Sequence, residues 1–332
     1  METYGLDSHK LMLHPERVTQ WLNGKCNAPI LVEICPIGRC NHRCVFCAYN
    51  YTDYKGDSLD YYTMISKVLP EMGEMGVKAI DWDTEGEPLL HPGLADFILI
   101  ARQVGINSAV ETNGVLLTDK FMRDCGSSIS YIKVSVDAAS NETHYKIHRG
   151  GKHDWEKVIL NVENAVRLKT GCVIGMQMVL LKENEDEVAE LAGIAKDIGV
   201  DWLVVKPFSV HPFQTSDLVH MGDINKVKDI PGIIVREQTF GRLFKDRDYP
   251  ICYGVNFISN IDCFGNVTVC NTLTRNEKYN MGNIYKESFQ TIWARHPKEF
   301  DIKECKREVC RMDKQNYYLW QLKNPPPHVN FV

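Results

Sequence analysis

KAIDWDTEGEPLLHPGLADFILIARQVGINSAVETNG, residues 78–114, reads as a strand, a helix and a strand. KAIDWD (78–83) is short and extended in pattern. HPGLADFILIARQVG (91–105) has helical spacing of its apolar positions, Pro92 near its start and Gly105 at its end. INSAVET (106–112) is again a strand. Two strands joined by a helical crossover form a parallel pair. The unit repeats outward in both directions. Before it stand a strand, ILVEI (30–34), and a helix, 58–76, ending at Gly76 and kinked or divided by Pro70. After it come helix 116–126, strand 131–138, helix 154–171, strand 172–181, helix 185–199 and strand 201–207. About six alternations predict a parallel sheet with right-handed crossovers and sites at the C-terminal ends of its strands. The expected fold is therefore α/β, a partial (β/α)6 TIM-like barrel. It is open, because the chain is too short for eight units plus its cysteine-rich tail.

After Pro207 the alternation stops. Residues 208–250 look irregular apart from a strand-like GIIVREQ (232–238), and 251–270 read as a β-hairpin with Cys-Phe-Gly near its turn. The expected division is an N-terminal extension (1–29), a core (30–210), a linker (211–250) and a small C-terminal domain built on the hairpin (251–332).

Across 332 residues, 44% hydrophobic, a sizeable core can be buried. A net charge of −5 argues against a nucleic-acid partner, which would need a basic surface. No apolar run is long enough to span a bilayer, so no membrane role is expected. The first residues lack a secretory signal, so a cytoplasmic location is expected. In a reducing compartment, twelve cysteines point to metal ligation rather than disulfides. Cys26, Cys125 and Cys172 stand alone and read as small buried hydrophobes.

Cys40, Cys44 and Cys47 lie in one loop after the first strand. Short spacings let three thiolates reach different corners of one cubane, leaving the fourth iron open. The competing reading is structural zinc, with Cys35 or His42 as fourth ligand.

This loop and several later stretches of the chain resemble the radical S-adenosylmethionine (SAM) enzymes. CNHRCVFC gives CxxxCxxC with Phe46 before the last cysteine. Gly86-Glu87-Pro88 is similar to the end of that family's Gly-Gly-Glu-Pro stretch. ETNG (111–114), SVDAAS (135–140) and IHRG (147–150) are similar to later landmarks in the same order. The resemblance implies a 4Fe-4S cluster on Cys40, Cys44 and Cys47 whose open iron chelates the amino and carboxylate groups of SAM. An electron donor such as flavodoxin or ferredoxin reduces it, the S–C5′ bond breaks, and the 5′-deoxyadenosyl radical takes a hydrogen atom from substrate. The protein orients the cofactor and excludes water. Gly86 and Glu87 are then expected at the SAM amino group, Arg149 at its carboxylate as a bidentate partner, and Gln177 at the adenosyl end. Phe46, Asn113, Ser135 and Asp137 complete the cofactor-binding candidates. Asn113 has a plainer reading as a turn residue before Gly114, and Arg149 as a surface charge. Glu85 departs from the family pattern, which has glycine there. Its carboxylate either points into the pocket or faces solvent.

Cys252, Gly265 and Cys270 give C-x12-G-x4-C, and Cys305-x4-Cys310 comes later. This resembles the auxiliary-cluster domains of the same enzymes, the seven-cysteine SPASM type or its truncated twitch form. Five cysteines after residue 208 fit one auxiliary 4Fe-4S cluster on Cys252, Cys270, Cys305 and Cys310. The spacing from Cys305 to Cys310 is wider than usual in the twitch form. A zinc ribbon is the alternative. Cys263 is left over: a structural residue, a substitute ligand, or a thiol that returns a hydrogen atom to a substrate radical.

Too few residues precede the first strand for a peptide-recognition domain, so a small-molecule substrate is expected. The resemblance suggests a carbohydrate-like one: an aminosugar, cyclitol or nucleotide sugar. Two-electron oxidation is expected, with Lys206 or His211 taking the hydroxyl proton and Glu85 and Asp83 near the strand ends. A redox-neutral epimerase using Cys263, and a peptide-modifying or maturase enzyme, are the alternatives.

Overall fold

The computed structural model describes residues 9–25, 28–208, 220–243, 245–305 and 310–331. Six strands appear in the expected order: β1 (Leu31–Ile34), β2 (Ala79–Trp82), β3 (Asn107–Thr112), β4 (Ile129–Ser135), β5 (Val173–Leu180) and β6 (Trp202–Pro207). Each pairs in parallel with the next. The strand-like 232–238 shortens to β7 (Ile234–Val235), parallel to β6.

Along each strand successive side chains take opposite faces. Val32, Ile34, Ile80, Trp82, Val110, Ile132, Val134, Met176, Met178, Leu203 and Val205 are buried in the main core with residues of the surrounding helices. Asp83, Glu111, Lys133, Ser135, Gln177 and Lys206 line a cavity on the other face. The inside of the open barrel is therefore polar, a site rather than a second core.

The C-terminal segment does not stand apart. β8 (Ile251–Cys252) pairs with β12 (Phe300–Asp301), while β9 (Ile258–Ile261), β10 (Asn266–Thr268) and β11 (Asn280–Asn283) extend the large sheet. Its order is β11-β10-β9-β1-β2-β3-β4-β5-β6-β7. β9 lies parallel against β1, with Leu31 opposite Ile258, and β10 runs back antiparallel as the expected hairpin. Its turn reaches Gly265 at φ +78°, which only glycine adopts without cost.

Pro70 divides the second helical segment as expected. Tyr61–Thr63 and Leu69–Met75 are α-helical, and Met64–Val68 between them is a π-helical stretch. The ring of Pro70 cannot complete an ordinary helical ladder, and a widened turn absorbs it. The N-terminal helix Pro15–Leu22 packs Val18 and Trp21 on Tyr253, Phe257 and Leu319. No helix among the described residues is long and apolar enough to cross a membrane.

Candidate active site

The loop after β1 carries Cys40, Cys44 and Cys47 to one wall of the interior cavity, about 330 Å³ in volume. Backbone hydrogen bonds fix it from both sides. Arg43 and Val45 donate to the carbonyls of His148 and Ile147, and Glu87 donates to that of Arg39, each at 2.9 Å. Gly86 is required for this closeness: a Cβ there would stand 1.9 Å from the Ile37 carbonyl oxygen. The three thiols crowd one another. Burial pushes the Cys40 thiol up to about 12, and Cys44 and Cys47 also rise, burial leading in each case. A metal that binds thiolates relieves that penalty.

The chemistry of this donor set fits a cubane with one free corner. Three thiols line the cavity, and among the described residues no fourth cysteine joins them. Cys35, the first candidate for a zinc site, is buried beside Cys263 and Glu85 instead. His42, the second, donates from Nε2 to the Asp154 carboxylate at 2.9 Å, with its Nδ1 3.3 Å from His148 Nδ1.

Glu87 sits opposite the loop. Its carboxylate accepts from the Thr112 hydroxyl at 2.6 Å and from the backbone N–H groups of Leu89 and Asn113 at 3.1 and 2.8 Å. Burial nevertheless pushes its pKa up to about 7, against these bonds. Asn113 bridges to Asn41 at 2.7 Å and also accepts from the Val115 N–H, so it builds the turn as well as lining the cavity. Gln177 donates to Ser135 at 3.2 Å across the neighbouring strands β5 and β4. Phe46 completes this wall with its ring edge-on to His148.

Lys206 lines the same cavity, its ammonium lowered to about 8 by burial and then by Lys133. His211 lies outside the described residues.

Four candidates are placed elsewhere. Glu85 is 2% exposed and does not line the cavity; its carboxylate meets the Arg275 guanidinium at 2.5 Å. It neither enters the pocket nor faces solvent. Cys263 is fully buried in the same knot, accepting from Arg275 at 3.3 Å. Asp137 is fully buried: it accepts from the Val179 N–H at 2.6 Å and holds His148 Nε2 at 3.1 Å. Arg149 ends the helix Asn141–His148 in a left-handed cap at φ +50° and is exposed. Its neighbour His148 is the residue that turns inward, with Nδ1 3.2 Å from Cys44 Sγ. His144 and His148 share one helix face, a spacing that could have flagged it.

Cys252, Cys270, Cys305 and Cys310 line a second cavity of about 30 Å³, walled mainly by Val255, Ile258, Val269, Leu273 and Phe300. Polar hydrogens reach its sulfurs. Thr272 Oγ1 is 3.4 Å from Cys270, Asn316 Nδ2 3.2 Å from Cys252, and Arg247 Nη2 3.9 Å from Cys305. Four thiols in an apolar shell with N–H and O–H donors match what an iron–sulfur cluster needs. Burial and then Cys270 push the Cys252 thiol up to about 11. The wall between the two cavities is thin. Arg311 lines both, and Asn271, next to Cys270, lines the first. Both bond to Glu33 of β1.

The model of the Radical SAM superfamily matches residues 34–195, and that of the SPASM iron–sulfur cluster-binding domain matches 252–313. Among curated relatives, a tungsten-containing aldehyde ferredoxin oxidoreductase cofactor-modifying protein of Pyrococcus furiosus is 26% identical over 281 residues. That match spans 77% of this chain and 78% of the relative. A GTP 3′,8-cyclase of Clostridium perfringens is 27% identical over 168 residues, about half of each chain (49% and 50%). Streptococcus suis SuiB bound to S-adenosylmethionine superposes with a TM-score of 0.64 at 12% identity, over 85% of this chain and 70% of that one. anSMEcpe with bound AdoMet and a peptide gives 0.60 at 15% identity, over 80% of each. The two structures share the fold.

Proposed function

We infer that this protein, which belongs to the radical SAM superfamily and carries a C-terminal iron–sulfur cluster-binding domain, oxidises a carbohydrate-like small molecule by two electrons. When bound on Cys40, Cys44 and Cys47, the first cluster supplies the electron that splits SAM, after reduction by a donor such as a flavodoxin or ferredoxin. Glu87 and Asn113 hold the cofactor's amino end, and Ser135 and Gln177 its nucleoside end. Asp83, Thr84, Glu111 and Lys133 offer a hydroxylated substrate hydrogen-bonding partners. One hydrogen atom leaves the substrate carbon and its hydroxyl proton passes to a basic side chain; Cys252, Cys270, Cys305 and Cys310 would hold an auxiliary cluster, which would supply the acceptor for the remaining electron. The alcohol thus becomes a carbonyl.

The shared wall carries this reading. Two auxiliary-cavity cysteines, Cys270 and Cys310, directly precede residues that line the cleft, Asn271 and Arg311. An electron leaving the substrate therefore has a short way to travel. Cys263, by contrast, is sealed behind Arg275 and Glu85, away from the cleft, which weighs against its returning a hydrogen atom. Anaerobic turnover in deuterated water tests the choice. One SAM consumed per product two hydrogens lighter is the expected result. An isomeric product carrying solvent deuterium would establish the epimerase instead.

A further inference from the structure

Three groups of reactive side chains are not, or only partly, used by this assignment. In the buried trio Cys35, Glu85 and Cys263, the Arg275 guanidinium already occupies two members, leaving no vacancy for a metal. The histidines 42, 144 and 148 close on Cys44 and support the loop. The third group is a set of cations.

Lys133, Lys206, Arg236 and Arg311 all line the cleft. Two are matched on the spot: Lys133 pairs with Glu111, and Arg311 with Glu33. Among the described residues, the side chains of Lys206 and Arg236 have neither an ion pair nor a hydrogen bond, and Arg236 Nε is buried without an acceptor. Glu111 attracts both and Asp137 attracts Lys206, but neither carboxylate pairs with them. Burial, then Asp81, pushes Asp83 well above the carboxylate range, and Glu111 already serves Lys133. Half-buried cations with no directly paired counter-charge are costly, and a fold retains them where a ligand supplies one.

Topology tells which ligand. Val204 pairs with Ile234 and Val205 with Val235. Continuing this parallel register sets Lys206 beside Arg236 on the cavity face. They occupy the β6–β7 edge, whereas Glu87 and Asn113 come after β2 and β3. The cofactor and the anion thus take opposite sides of the cleft.

We propose that Lys206 and Arg236 form a phosphate subsite, and that the substrate is a phosphorylated sugar or nucleotide whose phosphate seats there. This rests on the small-molecule reading of the cleft. A phosphate monoester carries close to two negative charges at neutral pH, matching two cations better than one carboxylate does. A guanidinium fork beside an ammonium suits its oxygens. Lys206 then anchors the substrate as a cation rather than taking a hydroxyl proton.

The test titrates inorganic phosphate into anaerobically reconstituted protein with SAM bound, by calorimetry and by phosphorus line broadening. Lys206→Met and Arg236→Gln are each expected to weaken phosphate binding about tenfold or more, the worth of a charge-assisted hydrogen bond. Arg123→Gln, a surface arginine on a distant helix, should bind phosphate as wild type does. Unchanged binding in both cleft variants, or equal loss in Arg123→Gln, would overturn the proposal. A wild-type arm needs no variant: phosphate that binds only by displacing SAM would give these cations to the cofactor's carboxylate and also overturn it. Product analysis is independent of these outcomes. An isomeric product would sink the oxidation reading and leave the phosphate site standing.

Discussion

In the cleft, three thiols share their walls with carboxylates, amides and lysines around about 330 Å³ of space. In the second cavity, four thiols stand among Val255, Val269, Leu273 and Phe300 around about 30 Å³. A cluster in the first place has room beside it and an unfilled corner, so it can meet a ligand. A cluster held in the second would have a full set of sulfurs and no room beside it, which would suit it to electron exchange. The number of cysteines and the polarity of their neighbours change together. A structural metal centre needs its coordination closed, and a reactive one needs a gap with shaped surroundings.

The largest effect should come from removing the open site. With Cys40, Cys44 and Cys47 all changed to alanine, iron should fall from about eight to about four per chain, and 5′-deoxyadenosine formation should cease. Iron analysis and chromatography of anaerobic reactions check both. Changing Cys252 and Cys310 to alanine should lower iron by a similar amount, yet leave 5′-deoxyadenosine formation detectable while the oxidised product disappears. If SAM cleavage is lost as well, the division of labour between the cavities fails. Glu85→Gln, which removes the carboxylate from a mostly buried ion pair with Arg275, should cost about 3–5 kcal/mol, as breaking one partner of a buried pair does. Urea unfolding of the anaerobic protein measures it, and a loss below about 1 kcal/mol would make the pair a surface-like contact.

The smallest effect is one of pH. Folding raises the Glu87 carboxyl from 4.5 to about 7, burial being the cause. Its contribution to stability is therefore complete below about 4.5 and fades as the pH climbs through 7. Accepting a hydrogen bond from the amino group of SAM favours the opposite, ionised form. SAM affinity should rise with pH up to about 7, by at most about tenfold per unit, and level off above. Equilibrium dialysis from pH 5.5 to 8 should show this slope in wild type and a flat line in Glu87→Gln.

Much of this was legible in the chain. The six-fold alternation gave the parallel order β1 to β6, because helix and strand periods are local signals. The Cys40, Cys44 and Cys47 loop and Glu87 were legible for the same reason: their geometry is set within a few residues. What escaped notice depends on distant partners. From the sequence Glu85 either enters the pocket or faces solvent, and only its distant partner Arg275 shows that it does neither. Arg149 and His148 are adjacent, and only the left-handed cap decides which of them faces in. Asp137 also turns inward, at φ +59°, to hold His148 rather than the cleft. Arg236 and Arg311 belong to no motif, and only the curvature of the sheet gathers them with Lys206.

The seam between β1 and β9 has a consequence for biosynthesis. β1 is made well before β9, and its outer edge is covered only when β9 emerges. Until then a nascent chain presents an uncapped strand edge, the kind that neighbouring chains can extend. Pairing across so long a separation is slow. A message truncated before residue 258 would leave that edge of β1 uncovered and yield an aggregation-prone product.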